Sequence, residues 1–345
     1  MSEALANTNF HKVTAKSVFD ARKADPRFQE YRRRWEENPR SFTVAGFPTH
    51  LDIESTGVCN LRCPFCATGT KNWGPNERGY MEMELYRKII DEGVREGLFA
   101  IKLSFRGEPT LHQQLPEMVA YAKEKGILDV YFNTNGTLLT EKLIHRLIDA
   151  GLDRISVSFE GIEKEPYEKQ YRVGAKFDRV IENVRRLKKI RDERGREIPQ
   201  IRIQSVMLPE LRELFSRYVE FFRPYAEEIA YIDMRRESPQ DDHRGMRANW
   251  ACPYLWQRMT ILWDGTTLPC PMPGLSNFGL LALGNVRQKS IKEMWLSQES
   301  RRYRELHRAG EAHELEACDR CSFRANELEK MGVTRQAAAA AGEAK

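Results

Sequence analysis

Long uninterrupted apolar runs are missing from this chain. Nothing approaches the ~18 residues that a membrane-spanning helix needs, although apolar residues make up 41% of its 345 positions. No membrane partner is therefore expected. Met1–Phe10 lacks the basic segment and apolar core of a secretory signal, so the expected location is the cytoplasm. An excess of one charge is missing too: 55 basic residues face 50 acidic ones, a formal +5. So near a balance argues against nucleic acid as the main partner. Cysteine is sparse, with seven in all. In a large unexported chain these read as metal ligands or reactive thiols rather than disulfides. No internal repeat is present.

What the chain does have is an alternation of short apolar runs with longer amphipathic ones. Residues 1–48 are polar and charged and form an expected N-terminal helical segment. Its helix, near Ser17–Glu37, carries a stripe of Phe19, Phe28, Tyr31 and Trp35 and is expected to pack on the outside of the main domain. From His50 onward the expected strands are His50–Glu54, Ala100–Phe105, Asp129–Asn133, Arg154–Phe159, Ile201–Met207 and Ile229–Met234. Expected helices lie near Glu82–Glu96, Gln114–Lys125, Thr140–Ala150, Phe177–Arg194 and Leu211–Phe222. This order implies an α/β fold with a parallel sheet and right-handed helical crossovers. Six strands are too few for the closed eight-fold barrel, so residues 49–234 are expected to form a curved partial barrel. Residues 235–249 are charged, with Pro239 and Gly245, and read as a linker or cleft-lining loop. Residues 250–327 form a smaller expected domain, and residues 328–345, with Ala337–Ala341, a flexible tail.

Three of the cysteines, Cys59, Cys63 and Cys66, stand in one short C-x3-C-x2-C run just after the first expected strand. In such sheets ligands gather at the carboxyl ends of the strands. A cubane [4Fe–4S] cluster needs a ligand at each iron, so three thiolates leave one iron open to chelate something else. The alternative is a structural zinc loop. Closed zinc sites use four protein ligands, and no fourth Cys or His follows nearby.

With that loop the sequence resembles the radical SAM superfamily. The resemblance implies a partial (β/α)6 barrel and an open iron that holds the amino and carboxylate groups of S-adenosylmethionine. It also implies a 5′-deoxyadenosyl radical that abstracts hydrogen from an unactivated carbon. A reductant such as flavodoxin or ferredoxin would supply the electron. By the same resemblance, Phe65 lies beside the adenine. The run Arg106-Gly107-Glu108-Pro109 resembles the family's Gly-Gly-Glu-Pro motif, with Arg106 in place of the first glycine; Gly107, Glu108 and Pro109 would meet the methionyl ammonium. Asn135 and Ser158, at the ends of the third and fourth expected strands, fall where relatives meet the ribose. Arg172 is placed to pair the methionyl carboxylate through a guanidinium fork.

The other four cysteines are Cys252, Cys270, Cys318 and Cys321. Met259–Trp263 and Thr266–Leu268 flank Asp264-Gly265 and read as a hairpin. That hairpin would bring Cys252 and Cys270 together. A helix near Ser290–Ser297 then returns the chain towards Cys318 and Cys321. This arrangement resembles the small C-terminal Fe–S domain of SPASM/Twitch enzymes, in the shorter Twitch-like form with one auxiliary [4Fe–4S] cluster. A four-cysteine zinc site is the alternative.

Three plus four ligands use all seven cysteines. No thiol then remains to return hydrogen to a substrate radical, which favours oxidation of a small-molecule substrate, a carbohydrate, aminocyclitol or nucleotide-sugar. Candidate bases are Glu160, Asp233, Glu237 and His243. The alternatives are a maturase that modifies a ribosomal peptide, a sugar epimerase or dehydratase, and a non-catalytic zinc or electron-transfer protein.

Overall fold

The computed structural model describes residues 10–70, 73–74, 77–234, 245–271 and 281–333. Ten strands form one sheet: β1 (Phe10–Lys12), β2 (His50–Ile53), β3 (Ala100–Lys102), β4 (Asp129–Thr134), β5 (Arg154–Ser158), β6 (Gln200–Met207), β7 (Glu228–Asp233), β8 (Arg258–Ile261), β9 (Thr266–Leu268) and β10 (Gly284–Asn285). Their spatial order is β1-β7-β6-β5-β4-β3-β2-β8-β9-β10. β2 to β7 run parallel in sequence order, as the alternation with helices implies. Helices Met83–Arg95, Leu115–Glu124, Glu141–Asp149, Phe177–Glu193 and Phe215–Phe222 occupy the crossovers. The architecture is thus the α/β partial barrel expected, with the sheet left open.

The elements follow from local chemistry. β6 alternates buried and half-buried residues along most of its length, so one face meets the helices and the other the barrel interior. The helix Glu141–Asp149 is started by Thr140, whose hydroxyl accepts the Leu143 N–H. Ser290 and Glu293 form a capping box at the start of Ile291–Trp295. Leu51, Ile101 and Val130 stand side by side on β2, β3 and β4 and are wholly buried.

Several expectations need correction. The N-terminal helix spans Pro26–Arg40, later than expected, because Asp25 caps it and Pro26 occupies its first turn. It packs on the outside of the sheet, over the end where the parallel strands begin. Tyr31 Oη is 3.3 Å from His50 Nδ1 at the start of β2, and Gln257 donates to the Trp35 carbonyl at 2.7 Å. The helix therefore closes the end of the barrel where the parallel strands begin. Residues ahead of it add β1, antiparallel to β7. β3 is shorter than expected, and the last crossover helix begins at Phe215 after a tight turn at Pro209–Leu211.

The larger difference lies beyond residue 250. β8 and β9 form the expected hairpin, with Gly265 at φ +93° in its turn. Yet β8 also pairs in parallel with β2, from His50↔Arg258 to Ile53↔Ile261. The sheet therefore runs through the expected domain boundary. Trp256, Met259, Ile261, Ile291, Met294 and Trp295 belong to the same continuous core as the barrel. A second, smaller cluster contains Met246, Trp250, Tyr254, Phe323 and Leu328 around Cys252 and Cys270. The helix Ser322–Lys330 crosses the expected start of the tail, and its Leu328 is fully buried. Ala337–Ala341, Glu237 and His243 lie outside the described residues.

Candidate functional site

The first three cysteines sit on the loop leaving β2 at the carboxyl end of the barrel. Cys63 is buried, and Cys59 and Cys66 are half-buried. The loop is held on every side by its neighbours. The Glu108 N–H donates to the Val58 carbonyl at 2.8 Å, and the Arg62 N–H donates to the Val173 carbonyl at 2.9 Å. Thr68 Oγ1 donates to the Arg106 carbonyl at 2.9 Å. After Cys66 the chain turns into the short helix Ala67–Thr70. Gly69 is required there, since a Cβ would stand 2.6 Å from the Cys63 carbonyl oxygen. Sequence reasoning missed Gly69, although its place three residues after the third cysteine was visible.

Gly107 is pressed against the same loop. A Cβ at this position would meet the Thr56 oxygen at 2.2 Å and the Val58 oxygen at 2.6 Å. The next residue, Glu108, is buried, and its carboxylate is turned inward. It accepts from Thr110 N and Oγ1, from Thr134 Oγ1 and from Asn135 N, at 2.6–3.1 Å. Burial raises its pKa, against the pull of these donors. Glu108 thus ties the end of β3 to the end of β4. Pro109 is buried and opens the turn Pro109–Leu111.

Arg106, the departure from the family pattern, has a partner that the sequence did not reveal. Its guanidinium meets Glu54, at the end of β2, with Nε 2.6 Å from Oε1 and Nη2 2.7 Å from Oε2. Trp73 lies against its face, 5.1 Å from ring centroid to guanidinium carbon. The Trp263 N–H also reaches Glu54 Oε2, at 3.3 Å. Trp263 in turn covers Gly57 and Gly79, where a Cβ would meet its ring at 3.2 and 2.4 Å. The cysteine loop and the C-terminal hairpin are therefore joined at one point.

Asn135 does not present a free amide. Its Nδ2 donates to Asn60 Oδ1 at 2.9 Å, and its Oδ1 accepts from Thr137 N and Oγ1. Asn60 Nδ2 donates to Thr137 Oγ1 at 2.9 Å, so this triangle fastens the residue after Cys59 to the end of β4. Ser158 is half-exposed at the end of β5. Arg172 clasps Glu160 through Nε and Nη2, and its Nη1 lies 3.8 Å from the Cys63 sulfur. Phe65 packs beside it, its ring 5.7 Å from the guanidinium carbon. Glu160 is wholly buried and also accepts the Val206 N–H at 3.3 Å. Asp233, at the end of β7, is held by His11 at 3.0 Å and Lys330 at 3.3 Å. Burial would raise its pKa, but these two partners bring it below the usual range. Neither described candidate base is therefore an unengaged carboxylate.

Burial at the first loop favours the protonated thiols. Burial raises the pKa of Cys59 and pushes that of Cys63 up to about 11, the latter against the Arg172 charge. Ligation must supply the energy that removes those protons.

The remaining four cysteines line a single, mainly apolar cavity with Leu255, Leu281 and Phe323. Burial and the neighbouring thiols push Cys252 and Cys318 well above the ordinary thiol range. Among the described residues no three His, Cys, Asp or Glu side chains converge closely enough to grip one ion. Two further polar residues reach the cavity, and neither was singled out from sequence. His307 Nε2 lies 3.3 Å from the Cys318 sulfur, and Nδ1 accepts the Cys252 N–H at 3.1 Å. Burial, with Arg324 alongside, pushes its pKa down to about 3. Arg324 is itself buried on the cavity wall.

Both halves match known families. The radical SAM superfamily pattern covers residues 53–210, and an iron–sulfur cluster-binding domain of the SPASM type covers residues 252–322. The chain belongs to the radical SAM superfamily, in its SPASM/Twitch branch. Membership implies S-adenosylmethionine, a [4Fe–4S] cluster and auxiliary cluster binding. It also implies an enzyme of radical chemistry. No described helix is long and apolar enough to cross a membrane.

Among its relatives is the tungsten-containing aldehyde ferredoxin oxidoreductase cofactor-modifying protein of Pyrococcus furiosus. It is 26% identical over 320 residues, covering 80% of this chain and 87% of the relative. A "Probable GTP 3′,8-cyclase" of Sulfolobus acidocaldarius is 36% identical over 140 residues, 41% of this chain and 43% of the cyclase. Of solved structures, BtrN in complex with AdoMet and 2-DOIA superposes with a TM-score of 0.53 at 18% identity, over 81% of this chain and 94% of that one. Native anSMEcpe with bound AdoMet and the Cp18Cys peptide gives 0.55 at 16% identity, over 75% and 83%. At these identities the likeness is one of fold.

Proposed function

We propose that this protein is a radical oxidoreductase that converts a carbinol carbon of a carbohydrate, aminocyclitol or nucleotide-sugar to a carbonyl. The observation that carries this reading is the distribution of the thiols. Cys59, Cys63 and Cys66 share one loop, and Cys252, Cys270, Cys318 and Cys321 share one cavity. In this reading the first set holds the cluster that binds S-adenosylmethionine, the second holds the auxiliary cluster, and no cysteine is left as a hydrogen donor. When bound, these groups supply the 5′-deoxyadenosyl radical and a one-electron acceptor.

The balance is two electrons and two protons. One hydrogen atom leaves the carbinol carbon, the hydroxyl proton goes to a base, and the remaining electron is withdrawn. The protein's own part is placement. Gly107 lets the Gly-Glu-Pro turn approach the cysteine loop, and Glu108 fixes that turn to β4. Glu160 occupies the Nε/Nη2 fork of Arg172, so the pairing with the cofactor carboxylate expected from sequence is left to Nη1, which faces the Cys63 sulfur at 3.8 Å. Phe65 offers a ring beside the same loop. With Glu160 and Asp233 engaged, Glu237 and His243 are the preferred bases.

A second reading is supported by the relative with the widest match among those above, whose name describes modification of another enzyme's cofactor. A cofactor of another enzyme, or its precursor, would then replace the sugar. One experiment tests the first reading. Reconstituted protein, S-adenosylmethionine and a reductant are incubated without oxygen, in deuterated water, with candidate alcohols. Oxidation gives 5′-deoxyadenosine and a carbonyl in equal amounts. Deuterium entering carbon-bound positions of recovered substrate would point to epimerisation, and absence of 5′-deoxyadenosine with every substrate class would overturn radical chemistry itself.

A further inference from the structure

His307 and Arg324 have no part in the chemistry above, yet both face the four-cysteine cavity. His307 lies in the last turn of the helix Gln298–Ala309 and is 1% exposed. Its two ring nitrogens have different partners. A backbone N–H can only donate, so Nδ1 must accept from Cys252 N, at 3.1 Å. The ring proton then belongs on Nε2, which faces the Cys318 sulfur at 3.3 Å. One imidazole thus bridges two of the four cysteines, holding the backbone of one and donating to the sulfur of the other.

Arg324 comes from the helix that follows Cys321 and is 3% exposed. Its Nη2 donates to the Met246 carbonyl at 2.5 Å. Its Nε is buried with no hydrogen-bond partner among the described residues. Burial lowers the pKa of this guanidinium, while Asp319 and the nearby Cys318, Cys321 and Cys252 side chains act the other way. A buried cation with an unused donor, set among thiols, fits a group that carries negative charge when bound.

We infer that His307 and Arg324 are positioning residues that raise the reduction potential of the auxiliary cluster, through an N–H donated to Cys318 and a buried positive charge on the cavity wall. Reduction adds an electron to an already anionic thiolate cluster. A donor at sulfur and a nearby cation stabilise the reduced form more than the oxidised form. This deepens the reading of the auxiliary cluster as electron acceptor, but it concerns the cluster itself and is tested without substrate.

The test uses the full-length chain with Cys59, Cys63 and Cys66 replaced by Ala, so that only the auxiliary cluster is loaded, and follows its reduction by EPR-monitored redox titration. His307→Leu and Arg324→Met are each expected to lower the midpoint potential at unchanged iron content. Arg324→Lys, which keeps the charge, and His307→Gln, which keeps an N–H, should recover part of the shift. If His307→Leu fails to retain its cluster, Arg324→Met decides alone. An unchanged potential in a fully loaded Arg324→Met variant overturns the inference. Failure to oxidise any alcohol would overturn the oxidoreductase reading and leave this one standing.

Discussion

Arg106 and Glu54 form a two-pronged ion pair between the ends of β3 and β2, at 2.6 and 2.7 Å, with both residues enclosed. The family motif has glycine at position 106. Here a long cation fills that place because an acid on the adjacent strand and the Trp73 ring receive it. The pair also secures the start of the loop that carries Cys59, Cys63 and Cys66.

Removing one partner should be costly. Arg106→Met leaves Glu54 buried without its counter-ion and is expected to lose about 3–5 kcal/mol of stability. Adding Glu54→Leu should restore most of it. Urea denaturation of the two variants and the parent measures this, and equal stabilities would contradict the structural role.

Gly107→Ala should displace the cysteine loop, because its Cβ would lie 2.2 Å from the Thr56 oxygen. A misplacement near 1 Å can reduce a positioned reaction by about a hundredfold. The same order of loss is expected in 5′-deoxyadenosine formation, with iron content falling less. Full activity would mean that the turn relaxes without moving the loop.

Metal analysis should find about eight irons per chain, as two cubanes require. Any one of Cys59→Ala, Cys63→Ala or Cys66→Ala should abolish S-adenosylmethionine cleavage. Cys318→Ala should spare cleavage more than substrate turnover. Stoichiometric zinc without iron would end the cluster reading at both sites.

His50 connects the barrel floor to pH. Burial, against the pull of Asp52, pushes its pKa down from an ordinary 6.5 to about 4. Between these values the unfolded chain holds the extra proton. This residue's contribution to stability therefore falls as pH drops through that window, by up to ~1.4 kcal/mol per unit, and is constant above it. Denaturation profiles of His50→Gln should be shallower than the parent's by about one proton between pH 6.5 and 4.

Much of this was readable in one dimension. Six parallel strands follow from alternating apolar and amphipathic runs, because each pattern buries one face only if strand and helix layers stack. The seven cysteines announce their chemistry by spacing, since three in an eight-residue run cannot avoid one another. β8 was harder to place. Its apolar run marks a strand, but nothing local tells a hairpin from a strand that also joins β2 some two hundred residues away. The fates of Glu108, Asn135 and Glu160 were also hidden, because their residue type gives polarity and not direction. In the fold each is turned inward onto named donors.

The sequence by itself thus determined the layered α/β class, the three-cysteine loop after the first strand of the parallel series and the second set of four thiols. These depend on periodicity and short-range spacing. Tertiary structure alone decided that Arg106 would find Glu54 and that the N-terminal helix would close the barrel floor. It also decided that the auxiliary thiols would share a wall with His307 and Arg324. Those relationships join residues far apart in the chain, and only burial in a common core makes each polar group need the other.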